Sequence, residues 1–547
     1  MNKFKRSFGG ILCAALGAAA VSSSAALGTV SVYADNPTVQ TIYTADPAPM
    51  VWNDTFYLYT GHDADNATGY EMSDWRCYST TDMKNWVDHG AVLSYTDFEW
   101  AEPDSCWAAQ CIERNGKFYY YVTLSSKEAG GVRAIGVAVS DSPTGPFKDA
   151  IGKPLCGPNW SYIDPTVFID DDGQAYLYFG NPDLYYVKLK DNMIETDGKV
   201  QKSLMNAEQF GVSRDGKSSS YEEGPWIYKR NGLYYMVYAG SGVPETIDYS
   251  ISDSPTSNWQ YKGQIMNTCP TSFTIHPGII EYKGHAYFTY HTGNLKGGGG
   301  FTRSASIEEF TFEEDGSIPK IKATKAGPDQ IESFNPYLKN EAETICWEEG
   351  VETKRGENGE SNGIYVTDAG KGDYIKVAGV DFSKNATSFT ASASATKSDG
   401  TVEIRLDAPD GKLVGTVNIP ECEAEDAWQT LTCDISGASG VHDLYFCFDT
   451  SADQGTVHFD WWQCDGDYNE SDYPKRPVMP TQPAVTDEPV NSDESVTTAE
   501  SVMTDENGSQ TKTVVIIVIA AVCVLTAVVF VTIAIRKAAK NKKTKDK

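Results

Sequence analysis

Asn53-Asp54-Thr55-Phe56-Tyr57-Leu58-Tyr59 is the first of five copies of one small unit, turn residues followed by an aromatic strand. The others are Asn115-Gly116-Lys117-Phe118-Tyr119-Tyr120-Tyr121, Asp172-Gly173-Gln174-Ala175-Tyr176-Leu177-Tyr178, Asn231-Gly232-Leu233-Tyr234-Tyr235-Met236-Val237 and Lys283-Gly284-His285-Ala286-Tyr287-Phe288-Thr289. Successive copies lie roughly 53–62 residues apart, a period that belongs to arrays or propellers. Eleven or twelve residues before the first Tyr of four copies stand Asp46, Asp164, Glu223 and His276, each followed by Pro or Gly-Pro. Equivalent places in a radial array converge on its axis, so four polar groups, three of them acidic, should meet in one pocket.

The related turns between copies, Ser79-Thr80-Thr81-Asp82, Ser140-Asp141-Ser142-Pro143 and Ser252-Asp253-Ser254-Pro255, favour tight connections between short strands. Helical periodicity is nearly absent from residues 35–335. The fold class expected is all-β, with five four-stranded blades around a channel. A β-sandwich is the plainer alternative, but a sandwich does not require fivefold recurrence. A second region, residues 340–467, carries alternating strands such as Tyr374-Ile375-Lys376-Val377 and Val402-Glu403-Ile404-Arg405-Leu406, which suit a small jelly-roll sandwich module. Residues 468–510 turn Pro-, Ser-, Thr- and acid-rich and read as a disordered spacer.

The ends say where the chain works. Lys3, Lys5 and Arg6 precede an apolar run, so residues 1–34 read as a signal peptide. Residues 514–535 are 22 uncharged residues, about 33 Å as a helix, enough to cross a bilayer. The basic tail 536–547 should stay cytoplasmic. A buried core helix is the other reading of the apolar run, and its flanks speak against it. The body is therefore expected outside the cell, secreted and anchored to the membrane. With both ends removed, 35 basic and 74 acidic residues remain, a net of −39. That balance excludes nucleic acid as a natural partner and favours neutral ligands. Ten cysteines lie between the ends, five in each region (77, 106, 111, 156, 269 and 346, 422, 433, 447, 464). Odd numbers require an unpaired thiol in each region or one bridge between them. Neither set has Cys-x-x-Cys spacing, which argues against zinc.

Cleaving a glycosidic bond in one displacement needs one carboxylate to activate water and one carboxylic acid to protonate the leaving oxygen, about 6.5–9.5 Å apart. A third anion nearby would keep that acid protonated. Taken singly, each residue has a dull reading. Asp-Pro is an ordinary turn pair, Glu223 follows Glu222 in an acidic protein, and His276 is a core histidine as readily as a ligand. Equivalence of register is what sets the four apart.

Here the sequence resembles glycoside hydrolase family 43, whose members are five-bladed propellers acting with inversion. The resemblance covers roughly residues 36–330. It rests on Asp46-Pro47-Ala48-Pro49, Ile163-Asp164-Pro165-Thr166-Val167-Phe168, Tyr221-Glu222-Glu223-Gly224-Pro225-Trp226, His276-Pro277-Gly278 and Gly299-Gly300-Phe301-Thr302-Arg303-Ser304. Within the family it is most similar to the arabinoxylan arabinofuranohydrolases, through Tyr59-Thr60-Gly61-His62-Asp63, Asp74-Trp75-Arg76-Cys77 and Trp107-Ala108-Ala109-Gln110. The resemblance implies Asp46 as general base, Glu223 as general acid and Asp164 as the residue that orients and tunes that acid. It implies that Trp107 and Arg303 contact the sugar and that His276 lies at the axis beside a metal ion or water. Ile275 departs from the family pattern, where Asn is expected.

The second region resembles a family 6 carbohydrate-binding module, through Asn340-Glu341-Ala342-Glu343, Arg405-Leu406-Asp407-Ala408-Pro409-Asp410-Gly411, His442-Asp443-Leu444-Tyr445-Phe446 and Phe459-Asp460-Trp461-Trp462. It implies a structural Ca²⁺ held by Glu341, Glu343 and Asp460, which suits a hard cation; solvated acids are the alternative. It also implies Tyr374 as half of a sugar-stacking platform, with docking as the other role for the module. The expected activity is release of α-L-arabinofuranosyl branches from arabinoxylan, a plant cell-wall polysaccharide, without an organic cofactor. A β-xylosidase or arabinan-active hydrolase is the runner-up, and a non-catalytic surface sugar-binding protein or a structural adhesin is the rival from another class.

Overall fold

The computed structural model describes residues 35–356, 363–452 and 455–469. The leader, the membrane segment 514–535, the basic tail and all but the first two residues of the 468–510 spacer lie outside the described residues. Among the described residues no helix is long and apolar enough to cross a membrane.

Five antiparallel sheets follow one another along the chain. The first holds β1 (Thr44–Trp52), β2 (Thr55–Asp63), β3 (Met72–Thr80) and β4 (Trp86–Ser94), and the second holds β5 (Trp107–Arg114), β6 (Lys117–Ser126), β7 (Val132–Ser140) and β8 (Lys148–Asp149). The third runs β9 (Thr166–Ile169), β10 (Ala175–Phe179), β11 (Tyr185–Leu189) and β12 (Thr196–Lys202), and the fourth β13 (Tyr221–Arg230), β14 (Leu233–Gly240), β15 (Thr246–Ser252) and β16 (Gln260–Met266). The fifth has three strands, β17 (Gly278–Tyr282), β18 (His285–Thr292) and β19 (Ser304–Phe310), where four were expected. Its open edge is covered by the N-terminal segment instead. Thr38 N–H donates to Ala305 O, while the Asn36 side chain bonds both the carbonyl and the N–H of Ile307. Covering an edge in this way removes unpaired backbone groups that would otherwise template aggregation.

The repeated motif is the hairpin from the first strand of each blade to the second. Both central turn residues have positive φ at Asn53/Asp54, Asn115/Gly116, Asn231/Gly232 and Lys283/Gly284. Tight two-residue hairpins demand that conformation, which Asn, Asp and Gly adopt most cheaply. The second strand is sandwiched between neighbouring blades, and β2, β10, β14 and β18 are buried on both faces along nearly their whole length. This is why those strands read as continuous aromatic runs rather than as alternating ones. Their rings meet edge-on between blades, as in Phe56 with Tyr282 and Tyr287. The ring of blades closes where Gly278 meets β1: a Cβ there would lie 2.6 Å from Pro49 Cδ and 2.4 Å from Thr289 Oγ1.

The second region is a β-sandwich. One sheet is built on Ile364–Ala369, Val457–Asp465 and Ser388–Thr396, the other on Tyr374–Asp381, Val441–Thr450 and Gly400–Leu406. Phe389, Phe446, Phe459 and Trp462 fill the space between them. The sandwich is fastened to the first blade: Thr344–Ile345 pairs with Trp86 and Val87 on the outer edge of β4. Asn85 clasps Ala378 through both N–H and C=O, and Thr353 Oγ1 donates to Asp88 at 2.6 Å. All ten cysteines of the described residues are unbonded.

Candidate active site

The first strands of the blades begin irregularly, and those irregularities aim the side chains. β1 slips register between Ala45 and Ala48, and β13 slips twice between Tyr221 and Trp226. Asp46 and Asp164 sit at φ 51° and 58°, the left-handed region that non-glycine residues avoid. Backbone strain of this sort is characteristic of sites the surrounding structure over-determines. In the fourth blade the left-handed residue is Gly224 (φ 58°), one position after Glu223. A Cβ at Gly224 would also lie 3.1 Å from the His276 ring, so backbone and packing both favour glycine there.

These bends draw Asp46, Asp164, Glu223 and His276 into one cluster. Asp46 and Asp164 are buried, Glu223 half-buried. Asp164 accepts the Gly224 N–H at 3.0 Å, tying the third blade to the residue beside Glu223. His276 Nδ1 stands 3.9 Å from Asp46 Oδ1, and His291 Nδ1 stands 3.2 Å from the same oxygen. Arg303 Nη1 donates to Asp46 at 2.9 Å, while Nε and Nη2 form a fork on Asp63 at 2.9 and 2.7 Å. The Arg303 backbone N–H adds a third bond to Asp63.

The electrostatics divide the carboxyls. Burial alone would lift Asp46, but Arg303, His291 and His276 outweigh it and hold the carboxyl well below the usual carboxylate range. Burial pushes Glu223 up, with Asp46 and Glu222 adding to the shift, although Asn181 Nδ2 donates to Glu223 Oε2 at 2.6 Å and pulls against it. Asp164 is lifted well above the carboxylate range by burial, Glu223 and Asp46. Asp164 and Glu223 are thus both raised by burial, each facing the other's charge. Burial brings His276 down to about 4, so the imidazole is neutral at ordinary pH.

The packing places the other expected residues. Arg303, implied as a sugar contact, is 3% exposed and bridges Asp46 and Asp63 beneath the Tyr70 ring. Trp107 lies at the rim, partly exposed, with the Arg133 guanidinium 3.8 Å above its ring and Tyr70 edge-on to it. On the other side of Arg133 stands Trp160, 65% exposed. Tyr70 itself faces the pocket: burial and then Glu223 push its phenol up. Ile275 turns its side chain into the apolar core beside Trp226, and its N–H donates to Glu245. In the sandwich, Tyr374 is half-buried and packs 5.7 Å from Tyr445. Glu343 and Asp460 are buried, yet among the described residues no three His, Cys, Asp or Glu side chains converge to hold a metal. The first set implied for a metal, Glu341, Glu343 and Asp460, lies on adjoining segments, with Glu341 paired to Trp461 beside Asp460. Around the first set the contact is through backbone, Ala342 N–H to Asp460 O, and the Glu343 charge is felt by Arg355.

Asp63, Tyr70, Asn181, His291 and Glu245 are residues of the site that the sequence does not assign. Asp63 lies in a quoted run, at the end of β2, and an acid closing an aromatic strand was a usable signal. Tyr70, His291 and Glu245 gave none, because each comes from a loop or strand end outside the repeated register.

Residues 34–318 match the family described as glycosyl hydrolases family 43, and residues 341–466 match carbohydrate binding module (family 6). This chain belongs to glycosyl hydrolase family 43. An arabinoxylan arabinofuranohydrolase of Bacillus subtilis (strain 168) is 30% identical over 489 residues, spanning 78% of this chain and 92% of that relative. Xylosidase/arabinosidase 43A of Humicola insolens is 31% identical over 328 residues, 52% of this chain and 98% of the relative. The crystal structure of a family 43 arabinoxylan arabinofuranohydrolase from Bacillus subtilis, in complex with cellotetraose, superposes with a TM-score of 0.68 at 28% identity, covering 80% of this chain and 99% of that one. The similarity to the first relative and to this structure extends over both the propeller and the sandwich, so the family 43 chain carries its module in the same order.

Proposed function

We propose that this glycoside hydrolase releases α-L-arabinofuranosyl side chains from arabinoxylan or its oligosaccharides, with inversion at the anomeric carbon. The observation that carries the reading is the opposite treatment of two carboxyls in one pocket. Asp46 is held ionised by Arg303, and Glu223 is lifted toward the protonated form by burial. An ionised carboxylate is what a general base needs, and a retained proton is what a general acid needs. Asp46 takes a proton from water as that water attacks the anomeric carbon, and Glu223 gives its own proton to the departing oxygen. Asp164 holds the Gly224 N–H and so fixes the angle of Glu223. Tyr70, Trp107 and Trp160 at the mouth offer flat apolar faces of the kind on which sugar rings stack. A β-xylosidase would use the same carboxyls; the arabinofuranosyl reading is favoured because the arabinofuranohydrolase relative covers the sandwich as well as the propeller.

Arabinose freed from wheat arabinoxylan, followed by chromatography, and its absence with Glu223→Ala test the activity. Proton NMR of the first product tests inversion, and a product of retained configuration overturns the one-step route. The sandwich belongs to this reading as a carbohydrate-binding module, tested by affinity electrophoresis in arabinoxylan gels with and without Tyr374→Ala.

The proposal extends to placement: a body outside the cell, joined through residues 468–510 to a membrane helix at 514–535. The support is the charge-free run and the basic cluster after it. Protease treatment of intact cells, releasing the activity into the medium, tests it.

A further inference from the structure

Glu245 lies just before β15 and is 2% exposed, a buried carboxyl outside the repeated register. Its backbone is fixed by an N–H bond to Phe273 O at 3.0 Å, and its Oε2 accepts the Ile275 N–H at 3.0 Å. Its side chain also hydrogen-bonds the side chain of Glu223. An ionised carboxylate only accepts hydrogen bonds, so two carboxyls bonded to each other must hold at least one proton between them. Glu223 opens on the pocket and has the Asn181 amide as a second donor, whereas Glu245 is sealed from water. Burial without a cationic partner keeps a carboxyl neutral.

We propose that Glu245 is a permanently protonated positioning residue, whose O–H donates to Glu223 and stabilises the carboxylate left there when Glu223 gives up its proton. The inference rests on the reading of Glu223 as the general acid. In the step itself the Glu223 proton passes to the leaving oxygen, the glycosidic C–O bond breaks, and the Glu245 proton stays in place. Removing the Glu245 donor therefore makes Glu223 a weaker acid. Burial pushes Glu245 well above the carboxylate range, and the Glu223 charge adds to it. The other titratable groups facing the pair are Asp46, Asp164, Glu222 and Tyr70.

Glu245→Leu and Glu245→Gln, assayed on an arabinoxylan oligosaccharide and on 4-nitrophenyl α-L-arabinofuranoside, test this. Leu should lower kcat on the oligosaccharide by about 10–100-fold with KM within about twofold, because acid catalysis is what is weakened. The nitrophenyl substrate, whose leaving group needs little protonation, should lose much less. The basic limb of kcat/KM should move up in Leu, since the bond that favoured ionised Glu223 is gone. Gln supplies a carbonyl for Ile275 and an N–H for Glu223, so it should recover most of the loss and keep the wild-type limb. Equal losses on both substrates, or a basic limb that moves down in either variant, overturn the proposal. Should Leu fail to fold, Gln decides alone by its limb. Infrared difference spectra of wild type against Gln at neutral pH give a readout free of turnover: a buried protonated-carboxyl band must disappear, and its persistence overturns the proposal. If wild type frees no arabinose while that band is lost, the general-acid reading fails and the Glu245 protonation stands.

Discussion

The axial pocket of the propeller and the edge of the sandwich both bury acidic side chains, and they handle them differently. In the pocket, strands from different blades start at one register, so Asp46, Asp164 and Glu223 converge, and Arg303 answers Asp46 and Asp63 together. In the sandwich, Glu343 and Asp460 come from a short edge segment and the strand it pairs with, and the cation that feels Glu343 is the local Arg355. The difference is one of symmetry. Radial repetition turns equal sequence spacing into spatial convergence, while a sandwich distributes equivalent positions over two faces. Buried charge in the propeller is therefore concentrated and chemically poised.

The sharpest way to break this contrast is Asp46→Asn, which keeps the shape and removes the charge. Activity on arabinoxylan should fall by about 10²–10⁴-fold, the usual range for loss of a general base, while the thermal midpoint stays near wild type. A variant that kept its activity would return the cluster to the status of the sandwich acids.

Next comes Arg303→Leu. It leaves Asp46 and Asp63 buried without their cation, which costs about 3–5 kcal/mol, and calorimetry should show a clearly lower melting temperature. A melting curve like wild type would mean the fork on Asp63 contributes little.

The pH profile sharpens the same point without mutation. Asp46 must be ionised, so activity is lost as pH falls through its depressed pKa, and the acid limb of kcat/KM should lie below the ordinary carboxylate value. Glu223 must be protonated, so activity is lost as pH rises through its raised pKa, and the basic limb should lie above it. In Arg303→Leu the acid limb should move up. An acid limb at or above the usual carboxylate range in wild type contradicts the account.

The smallest expected effect probes the join between the two regions. Asn85→Ala removes the clasp on Ala378 and leaves its backbone groups unmatched, at a cost of about 1–3 kcal/mol. The kcat on soluble oligosaccharides should not change, because the contact lies at the outer edge of the first blade. A fall in kcat equal to that of the pocket variants would show that sandwich and pocket act as one unit.

The hairpin turns were legible because their backbone needs Asn, Asp or Gly, and the second strands because burial on both faces demands unbroken apolar runs. The first-strand polar positions were legible because the period repeats them. The three-stranded fifth blade was not, since the N-terminal segment that covers β19 carries no part of the repeat. For Arg303 the sequence shows a cation near the axis and not which anions it meets, which the fold makes Asp46 and Asp63. His291 and Glu245 stayed hidden for the same reason: each reaches the pocket from a strand end whose spacing resembles nothing else in the chain.

Sequence alone determined the number of blades, the order of propeller and sandwich, and which three acids share an axis, because those follow from periodicity and local backbone preference. Only the tertiary structure decided the charge of each acid. Protonation depends on the dielectric and on the cations and hydrogen-bond donors within a few ångströms, and residues as far apart as 46 and 303 become neighbours only once the ring closes.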